Sequence, residues 1–440
     1  MKRVNILLML MVGFVGKSPA VLASPADGTA ETVNPALVEE AAPDPMMKFS
    51  QAVYDSLLAE WYTRTAASVM PCETFYRDFI DLDTDSTASC TSDTPDSIYE
   101  TRLRNILSPI QLPYNEVIKR YLVAYTTTRK SIMESILERS QYYFPMIEEE
   151  LCRVGLPLEL RMLPAVESAL NPMAVSRAGA TGLWQFMYTT GKQYGLEVTS
   201  FMDQRRDPVL ATQAACRLLA DLYQFYGDWT LALAAYNCGP GNVNKAMRRA
   251  GENAKNYWDI YPYLPVETRG YIPSFIAATY AYTYHRQHGM EQRNSGLPSA
   301  TDTVTVKRLM HFEQVASTID VPIDMLRALN PQYKMDIIPA VDRPLPLVLP
   351  AGDVSSYLSC EGEILRKDSV YLSSYLNPAN LDVTKKTFTV ASQTYRVKSG
   401  DTLGGIAHKH GVTVSQLMKW NGLKSTKTTL RVGQRIEIFR

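Results

Sequence analysis

The chain has 440 residues with 45 basic and 45 acidic side chains, so its formal net charge at pH 7 is zero. This balance gives no overall electrostatic field that would favour nucleic acid as a partner. At roughly 150 residues per domain, the length allows two or three domains. No CxxC pair occurs in the sequence, so we expect no metal site and no cofactor.

The N-terminus has the three parts of a secretory signal peptide. Lys2 and Arg3 supply the positive charge, residues 6–15 are apolar, and residues 21–23 supply small side chains for cleavage after Ala23. Such an apolar run is too short to span a bilayer, which takes about 20 residues. No cysteine follows the cleavage site, so we expect no lipid attachment there. The mature chain is therefore expected in the periplasm or cell envelope, without a transmembrane segment.

Cysteines in an exported chain make disulfides possible. The six cysteines are Cys72, Cys90, Cys152, Cys216, Cys238 and Cys360. Cys72 and Cys90 flank a polar loop and are the first pair that we expect to be joined.

The first half of the chain predicts a flexible leader followed by helices. Residues 24–45 are rich in Ala, Pro and Glu and contain no aromatic side chain, which is typical of a flexible segment. Nothing between residues 46 and 288 alternates convincingly with period two, so this part is predicted to be all-α. Its clearest helical patterns lie over 46–67, 114–139 and 145–154, with a polar loop at 81–97 and further helices up to 288.

After a polar linker at 291–300, two modules carry strand signals in the order β-α-α-β. In the C-terminal module, predicted strands at 395–397 and 435–438 enclose helices at 402–409 and 415–420. A divergent copy occupies 303–350, where Asn330-Pro331 corresponds to Asn421-Gly422. Between Gln393 and Arg440, nine Lys or Arg against two acids give a local net charge of +7. That charge suits an anionic polymer such as cell-wall glycan or nucleic acid, or simply a solvated basic face.

Glu167 is a candidate general acid because it lies within an apolar helical stripe. Residues three and four apart share one face of a helix. The apolar residues on the face of Glu167 are Leu160, Leu163, Pro164 and Leu170. Burial of a carboxylate raises its pKa and makes it usable as an acid near neutral pH. A solvated helix glutamate is the more common case, so the pattern alone leaves a surface role open.

Three further segments combine glycine-containing turns with ligand-binding side chains. The first runs from residue 176 and ends Gly182-Leu183-Trp184-Gln185-Phe186-Met187. The second ends a small-residue helix with Tyr236-Asn237-Cys238-Gly239-Pro240, a helix-terminating pattern that places Tyr236 and Asn237 at a helix end. The third places Tyr271 at a loop-to-helix junction.

Together, these four motifs closely resemble the lytic murein transglycosylases of the membrane-bound transglycosylase D type. The resemblance rests on the order Glu-Ser, Gly-Leu-Trp-Gln, Ala-Tyr-Asn and late tyrosine, and covers roughly 110–290. Residues 395–423 resemble a LysM domain, a module that binds N-acetylglucosamine-containing glycans. The resemblance implies a mainly α fold with small α+β modules. Its predicted parts are a helical region at 46–150, a lysozyme-like catalytic domain at 151–290, a divergent LysM-like module at 303–350 and a LysM domain at 393–440.

The resemblance also implies an activity and a role for each motif. Glu167 would be the sole catalytic acid and base, cleaving the bond between N-acetylmuramic acid and N-acetylglucosamine and closing a 1,6-anhydro ring without water. Tyr236 would hydrogen-bond the catalytic carboxylate, and Ser168 would help to position Glu167 or the sugar. The remaining groove residues would be Gln185, Met187, Asn237 and Tyr271, with Trp184 as a wall. In the LysM domain, the residues implied in glycan binding are Gly400, Asp401, Thr402, Leu403 and Asn421.

Two alternatives also act on or bind peptidoglycan glycan strands. A hydrolytic muramidase would use Glu167 with a second carboxylate and a water molecule, as ordinary glycosidases do. The aspartates that could supply the second carboxylate are Asp203, Asp207, Asp221 and Asp228. A non-catalytic wall-binding scaffold is the other alternative, and the intact Glu167, Gln185 and Tyr236 argue against it.

Overall fold

The computed structural model describes residues 92–372 and most of the C-terminal module. The other described positions are Leu58, Trp61, 392–398, 401–410, 414, 417–418, 421, 423, 430 and 433–439. The predicted signal peptide and leader, Cys72 and Cys90 lie outside the described residues, as does most of the helix predicted at 46–67. Among the described residues, no helix is both long and apolar enough to cross a membrane.

The part of the chain described between 92 and 290 is helical apart from isolated bridges, as predicted. Its α-helices are α1 (Asp96–Asn105), α2 (Glu116–Thr126), α3 (Lys130–Val154), α4 (Leu163–Ser168), α5 (Tyr188–Gln193), α6 (Pro208–Tyr226), α7 (Trp229–Cys238), α8 (Pro240–Ala250), α9 (Tyr257–Ile260) and α10 (Val266–Thr283). Short 3-10 turns occupy Leu158–Met162, Tyr261–Tyr263 and His285–His288.

Helix α10 lies at the centre of this helical block. Tyr271, Phe275, Ile276 and Tyr280 are fully buried although they point in different directions around the helix. A helix that is apolar on every side belongs inside a protein rather than on its surface. Helices α2, α4 and α7 pack against α10, so α4, which carries Glu167, is held against the central helix.

Helix α1 docks on the same core. Tyr99 and Leu103 on α1 are buried within the core cluster that includes α10. Arg102 donates to the Tyr280 hydroxyl at 3.1 Å, and its carbonyl accepts from the Tyr284 hydroxyl at 2.9 Å. The described part of the N-terminal helical region is therefore packed against the helices around α10.

The break in the long helical pattern was predicted at 140–144 but lies at Thr127–Arg129. Helix α3 continues through Pro145 to Val154. At the end of α2, the Thr126 hydroxyl donates to the Leu122 carbonyl at 2.8 Å and that of Thr127 to Val123 at 2.6 Å. Threonine side chains that bond back to the helix in this way compete with the backbone ladder and bend it. A run of threonines therefore ends the helix where proline does not.

The module after residue 300 has the predicted β-α-α-β order. Strand β1 (Thr301–Val306) pairs antiparallel with β4 (Leu345–Pro350), from Thr301 opposite Pro350 to Val306 opposite Leu345. Between them lie β2 (Met310–His311), α11 (Phe312–Ile319), α12 (Ile323–Leu329) and β3 (Ile337–Ile338). Helix α13 (Val354–Arg366) packs on α11 and on β1, so the folded unit extends past the predicted end at 350.

The C-terminal module repeats this arrangement in its described part. Strand β5 (Ser392–Arg396) pairs antiparallel with β6 (Arg435–Phe439), and α14 (Asp368–Tyr371) precedes them while α15 (Leu403–His410) lies between them. The Asn330 side chain donates to the Leu326 carbonyl at 2.9 Å, and that of Asn421 donates to Leu417 at the same distance. The asparagines aligned by the internal repeat therefore make the same side-chain contact in both modules.

Candidate active site

Helix α4 is a single short helix that carries Glu167 and ends in strained backbone. Pro164 lies in its first turn, where a missing N–H costs nothing. Just after Ser168, Ala169 and Leu170 have φ angles of 51° and 58°. The left-handed region is costly for residues with a Cβ, and such strain concentrates at functional sites. The chain leaves the helix in an abrupt turn directly after the Glu-Ser pair.

Glu167 is buried, as its apolar neighbours predicted. Only 4% of the residue is exposed. The Tyr271 hydroxyl donates to Glu167 Oε1 at 2.6 Å. Burial raises the pKa of Glu167 to about 7, while the Tyr271 hydrogen bond acts in the opposite direction. A glutamate with this pKa can give up a proton and take one back near neutral pH.

Ser168 ties the catalytic helix to the glycine-rich segment. Its hydroxyl lies 3.0 Å from the Pro164 carbonyl and 2.9 Å from the Leu183 carbonyl, and it accepts from the Asn171 N–H at 3.2 Å. Ser168 is 5% exposed and is not among the residues that line the cavity described below. These contacts support the positioning of Glu167 rather than contact with a sugar.

The glycine-rich segment forms a tight loop beside Glu167. Thr181 and Phe186 exchange both backbone hydrogen bonds, at 3.0 and 3.1 Å. Inside this loop Gln185 has a φ angle of 48°, and its side-chain amide donates to the Gly182 carbonyl at 2.8 Å. Gly182 itself has a φ of +88°, and a Cβ at this position would lie 1.8 Å from the Arg205 carbonyl oxygen. The loop is held by its own hydrogen bonds together with its close contact to Arg205.

Trp184 was expected to form a wall of the groove, but the structure places it in the core. The ring is fully buried, and its Nε1 donates to the Thr212 hydroxyl on α6 at 2.9 Å. An indole whose N–H is satisfied inside the protein anchors the loop instead of presenting a face to a sugar.

A cavity of about 480 Å³ opens in front of Glu167. Four of the residues expected in the groove line it, namely Gln185, Met187, Tyr236 and Asn237. Met187 is 44% exposed, which leaves its side chain open to a ligand. The cavity thus combines apolar area, amides and a hydroxyl in front of a single buried carboxyl, a lining suited to a polar ligand such as a sugar.

Tyr271, which was expected in the groove, contacts the catalytic candidate Glu167 directly. The Tyr271 side chain is fully buried, and its hydroxyl donates to the Glu167 carboxyl. The Tyr236 hydroxyl donates to the Trp184 carbonyl at 2.7 Å while its ring lines the cavity. Tyr271 therefore lies behind the carboxyl, and Tyr236 lies at the cavity wall.

The four aspartates considered as second carboxylates all stabilise the fold elsewhere, and none lines the cavity. Asp203 forms an ion pair with Arg205 at 2.8 Å. Asp207 caps the N-terminus of α6, and Asp228 caps that of α7. Asp221 accepts from the Tyr194 hydroxyl at 2.8 Å. A carboxylate that the sequence prediction missed, Glu267, does line the cavity and is solvent-exposed.

Comparison with known proteins agrees with this geometry. Residues 145–259 match the model of the transglycosylase SLT domain, 300–364 that of the LysM-like domain of the lytic transglycosylase MltD, and 395–439 that of the LysM domain. The membrane-bound lytic murein transglycosylase D of Escherichia coli strain K12 is 31% identical over 332 residues, covering 74% of this chain and 70% of that protein. The chain belongs to the lytic murein transglycosylase D family.

Other relatives match a smaller share of the chain. The soluble lytic murein transglycosylase of Escherichia coli strain K12 is 34% identical over 125 residues, covering 27% of this chain and 19% of that protein. A solved structure of an inactive mutant of the lytic transglycosylase Slt from Pseudomonas aeruginosa covers 38% of this chain and 31% of that one, at 24% identity. Its TM-score of 0.29 is too low to support an argument about the fold.

In this member of the transglycosylase D family, the residues expected to bind glycan in the LysM domain have structural partners. The Asp401 carboxylate accepts from the Tyr395 hydroxyl at 2.9 Å and from the Lys398 N–H at 2.7 Å. The Thr402 hydroxyl accepts from the Gly405 N–H at 3.1 Å, and Leu403 is buried. The Asn421 side-chain amide donates to the Leu417 carbonyl, and Gly400 lies outside the described residues. These contacts show that Asp401, Thr402 and Leu403 support the fold of the module. Glycan binding by these residues stays a prediction.

The described cysteines carry no disulfide. Cys152, Cys216, Cys238 and Cys360 are free thiols, and burial raises the pKa of the Cys238 thiol. A thiol that is harder to ionise is a poor nucleophile, which agrees with Cys238 serving the turn. Within the described part of the chain, no cluster of three or more His, Cys, Asp or Glu side chains could hold a metal ion.

Proposed function

We propose that this transglycosylase cleaves the β-1,4 bond between N-acetylmuramic acid and N-acetylglucosamine in peptidoglycan and leaves a 1,6-anhydromuramoyl end. The observation that carries the proposal is Glu167, a buried carboxyl with a raised pKa that faces the cavity. Ordinary glycosidases need two carboxylates on opposite sides of the bond. A nucleophile supplied by the substrate removes the need for the second, so one buried carboxyl is sufficient.

In the proposed reaction, Glu167 acts first as an acid and then as a base. The protonated carboxyl gives its proton to the glycosidic oxygen, which leaves with the electron pair of its bond to C1 of the muramic acid. The C6 hydroxyl of the same sugar then bonds to C1 and gives its proton to the Glu167 carboxylate. The enzyme returns to its protonated state, and no water is consumed. The raised pKa of Glu167 suits both steps near pH 7.

Tyr271 is proposed to set the pKa of Glu167 through its hydrogen bond. Donation from Tyr271 stabilises the carboxylate, so its loss in Tyr271→Phe should raise the pKa of Glu167 further. Because the acid must be protonated, the alkaline limb of the kcat/KM profile should move to higher pH, by roughly one unit. The measurement is the pH dependence of kcat/KM on a soluble glycan.

Tyr236→Phe is the matched comparison, since it also removes one hydroxyl at the site. Its hydroxyl is bonded to the Trp184 carbonyl, so its loss should lower activity without moving the alkaline limb. If the alkaline limb of the kcat/KM profile moved in Tyr236→Phe and not in Tyr271→Phe, Tyr236 rather than Tyr271 would set the pKa of Glu167.

The hydrolytic alternative is decided by the chemical form of the product. We expect wild-type enzyme to release anhydro-muropeptides from purified sacculi, and mass spectrometry separates these from hydrolysis products because they are lighter by one water. Since Glu267 also lines the cavity, Glu267→Gln should be analysed in parallel and should still yield the anhydro product. Reducing-end products from wild-type enzyme, lost in Glu267→Gln, would establish a muramidase and exclude the transglycosylase mechanism.

The remaining parts of the chain are proposed to deliver the enzyme to its substrate. We propose export by the N-terminal signal peptide to the periplasm or cell envelope, and glycan binding by the LysM domain at 393–440. Its local charge of +7 supports contact with an anionic wall polymer. The boundaries 24–45, 46–150 and 151–290 for the leader, helical region and catalytic domain are likewise proposals.

A further inference from the structure

A segment of the LysM-like module is buried against the catalytic block, the helical part of the chain between residues 92 and 290. Within this segment, residues 331–338, Gln332, Lys334 and Asp336 are at most 7% exposed. The Gln332 carbonyl accepts from the Asp203 N–H at 2.8 Å, and the Lys334 N–H donates to the Phe201 carbonyl at 2.8 Å. Residues 331–338 follow the helix-closing Asn330, so this loop of the module is occupied by contacts with the catalytic block.

A buried lysine reinforces the contact. The Lys334 ammonium donates to the Thr199 carbonyl at 2.7 Å. Burial lowers the pKa of Lys334 to about 8, with Asp203 acting against that and Arg205 and Arg206 adding to it. A lysine is kept in such a place only where its hydrogen bonds compensate for lost hydration. Lys334 therefore couples the module to the segment 199–206 of the catalytic block.

The module holds this loop in a strained conformation. Met335 and Asp336 have φ angles of 56° and 61°. Arg327 clamps the Asp336 carboxylate with two hydrogen bonds, at 3.0 and 2.7 Å. Strained backbone persists only where its surroundings over-determine it. Arg327, on helix α12 of the same module, therefore fixes Asp336 in the docking loop.

On the catalytic side, the same segment reaches the active-site loop. The Asp203 carboxylate binds Arg205 through both oxygens, at 3.0 and 2.8 Å. Burial acts to raise the pKa of Asp203, but the hydrogen bonds and charge of the Arg205 guanidinium outweigh it, so the pKa is lowered. Arg205 Nη1 donates to the carbonyls of Gly179 and Phe186, at 3.0 and 3.2 Å. Phe186 lines the cavity in front of Glu167, and Gly182 packs on the Arg205 carbonyl.

We propose that the LysM-like module at 300–364 is a positioning part of the active site, acting through Lys334, Asp203 and Arg205 on the loop at 179–187. The proposal rests on the transglycosylase function above and assigns the module a role other than glycan capture. Asp203 and Arg205 are positioning residues, because they touch the loop backbone and not the reacting atoms. Misplacing catalytic groups by about 1 Å can cost roughly 100-fold in rate.

The test is Lys334→Met in the full-length chain, with kcat and KM measured on a soluble glycan well below the melting temperature. Methionine keeps the apolar stem but leaves the Thr199 carbonyl without its donor. We expect kcat to fall by about 10- to 100-fold with KM little changed. The charged groups at the cavity besides Glu167 are Arg177 and Glu267, with Tyr271 behind the Glu167 carboxyl. The alkaline limb of the pH profile, set by Glu167, should move to lower pH, because a loosened loop admits water and lowers the pKa of Glu167.

Arg343→Met is the matched control at the same interface. Arg343 pairs with Glu197, but the two side chains are 52% and 45% exposed, and exposed ion pairs contribute little. We expect its kcat to stay within about two-fold of the wild-type value. If Lys334→Met keeps the wild-type kcat and pH limb, the module is only attached and the proposal fails.

A second variant covers the case in which Lys334→Met does not fold. Arg205→Lys keeps one positive charge beside Asp203 but cannot hold Asp203 through two donors and also reach both loop carbonyls. It should reproduce the kcat loss and the shift of the limb, and a wild-type kcat would overturn the proposal. Anhydro products from the wild-type enzyme test the catalytic function separately, so failure of one proposal is distinguishable from failure of the other.

Discussion

Glu167→Gln is expected to abolish turnover while leaving the fold intact. Glutamine keeps the size of the side chain and can still meet the Tyr271 hydroxyl, but it can neither give nor take a proton. Positioned acid–base catalysis contributes about 10²- to 10⁴-fold, and here one group is proposed to act in both steps. We therefore expect a loss of at least about 10³-fold in kcat, measured as release of anhydro-muropeptides from sacculi. Glu252→Gln, at an exposed glutamate, is the control.

The same substitution is expected to stabilise the protein at neutral and alkaline pH. The folded-state pKa of Glu167 is raised from 4.5 to about 7, so below pH 4.5 the carboxyl is neutral in both folded and unfolded chains. Between these values only the unfolded chain ionises, and wild-type stability falls as pH rises. The advantage of Glu167→Gln should grow from about pH 4.5 to 7 and then stay constant, at up to about 3 kcal/mol.

Urea unfolding at pH 4, 6 and 8 measures this advantage. A constant difference between variant and wild type across the three pH values would contradict the raised pKa, whatever the activity shows. Retained turnover in Glu167→Gln would instead disprove its catalytic role, whatever the stability shows. Urea unfolding therefore tests the raised pKa of Glu167, and turnover tests its role as the catalytic acid and base.

The burial of Glu167 was predictable from the sequence because the apolar face of a helix is a local property of the chain. Glu167 shares its face with Leu163, Pro164 and Leu170, and the structure buries it as that pattern indicated. The partner of Glu167 was not predictable, because hydroxyl direction depends on how separate helices pack. Tyr236 lies near the end of α7, whereas Tyr271, expected at a loop-to-helix junction, lies inside α10. Only the tertiary arrangement brings the Tyr271 hydroxyl to the carboxyl.

The burial of Trp184 and the docking of the LysM-like module were likewise not predictable from local sequence. An indole beside a glutamine is compatible with a groove or with a core, and the choice depends on Thr212, 28 residues away. The β-α-α-β order of 303–350 followed from strand and helix periodicity. That its loop after Asn330 docks on residues 199–206 could not follow from periodicity, because the contact joins segments more than 120 residues apart.

Gly182→Ala is expected to disable the active-site loop through a direct backbone clash. The added Cβ would lie 1.8 Å from the Arg205 carbonyl oxygen, and that oxygen belongs to backbone that cannot rotate away. The φ of +88° adds strain of about 1–2 kcal/mol for any residue with a Cβ. Either the loop or residue 205 must move, so kcat should fall by about 100-fold and the free energy of unfolding by about 3 kcal/mol or more.

Gly155→Ala separates the clash from the backbone strain. Gly155 ends helix α3 with a φ of +72°, but a Cβ there would meet nothing within 4 Å. This variant should lose about 1 kcal/mol of stability with an unchanged kcat, since only the left-handed conformation is penalised. Equal losses of stability and activity in the two variants would mean that φ alone matters and that the loop does not depend on Arg205. A larger loss in Gly182→Ala, concentrated in kcat, follows if close contact between 182 and 205 holds the loop over Glu167.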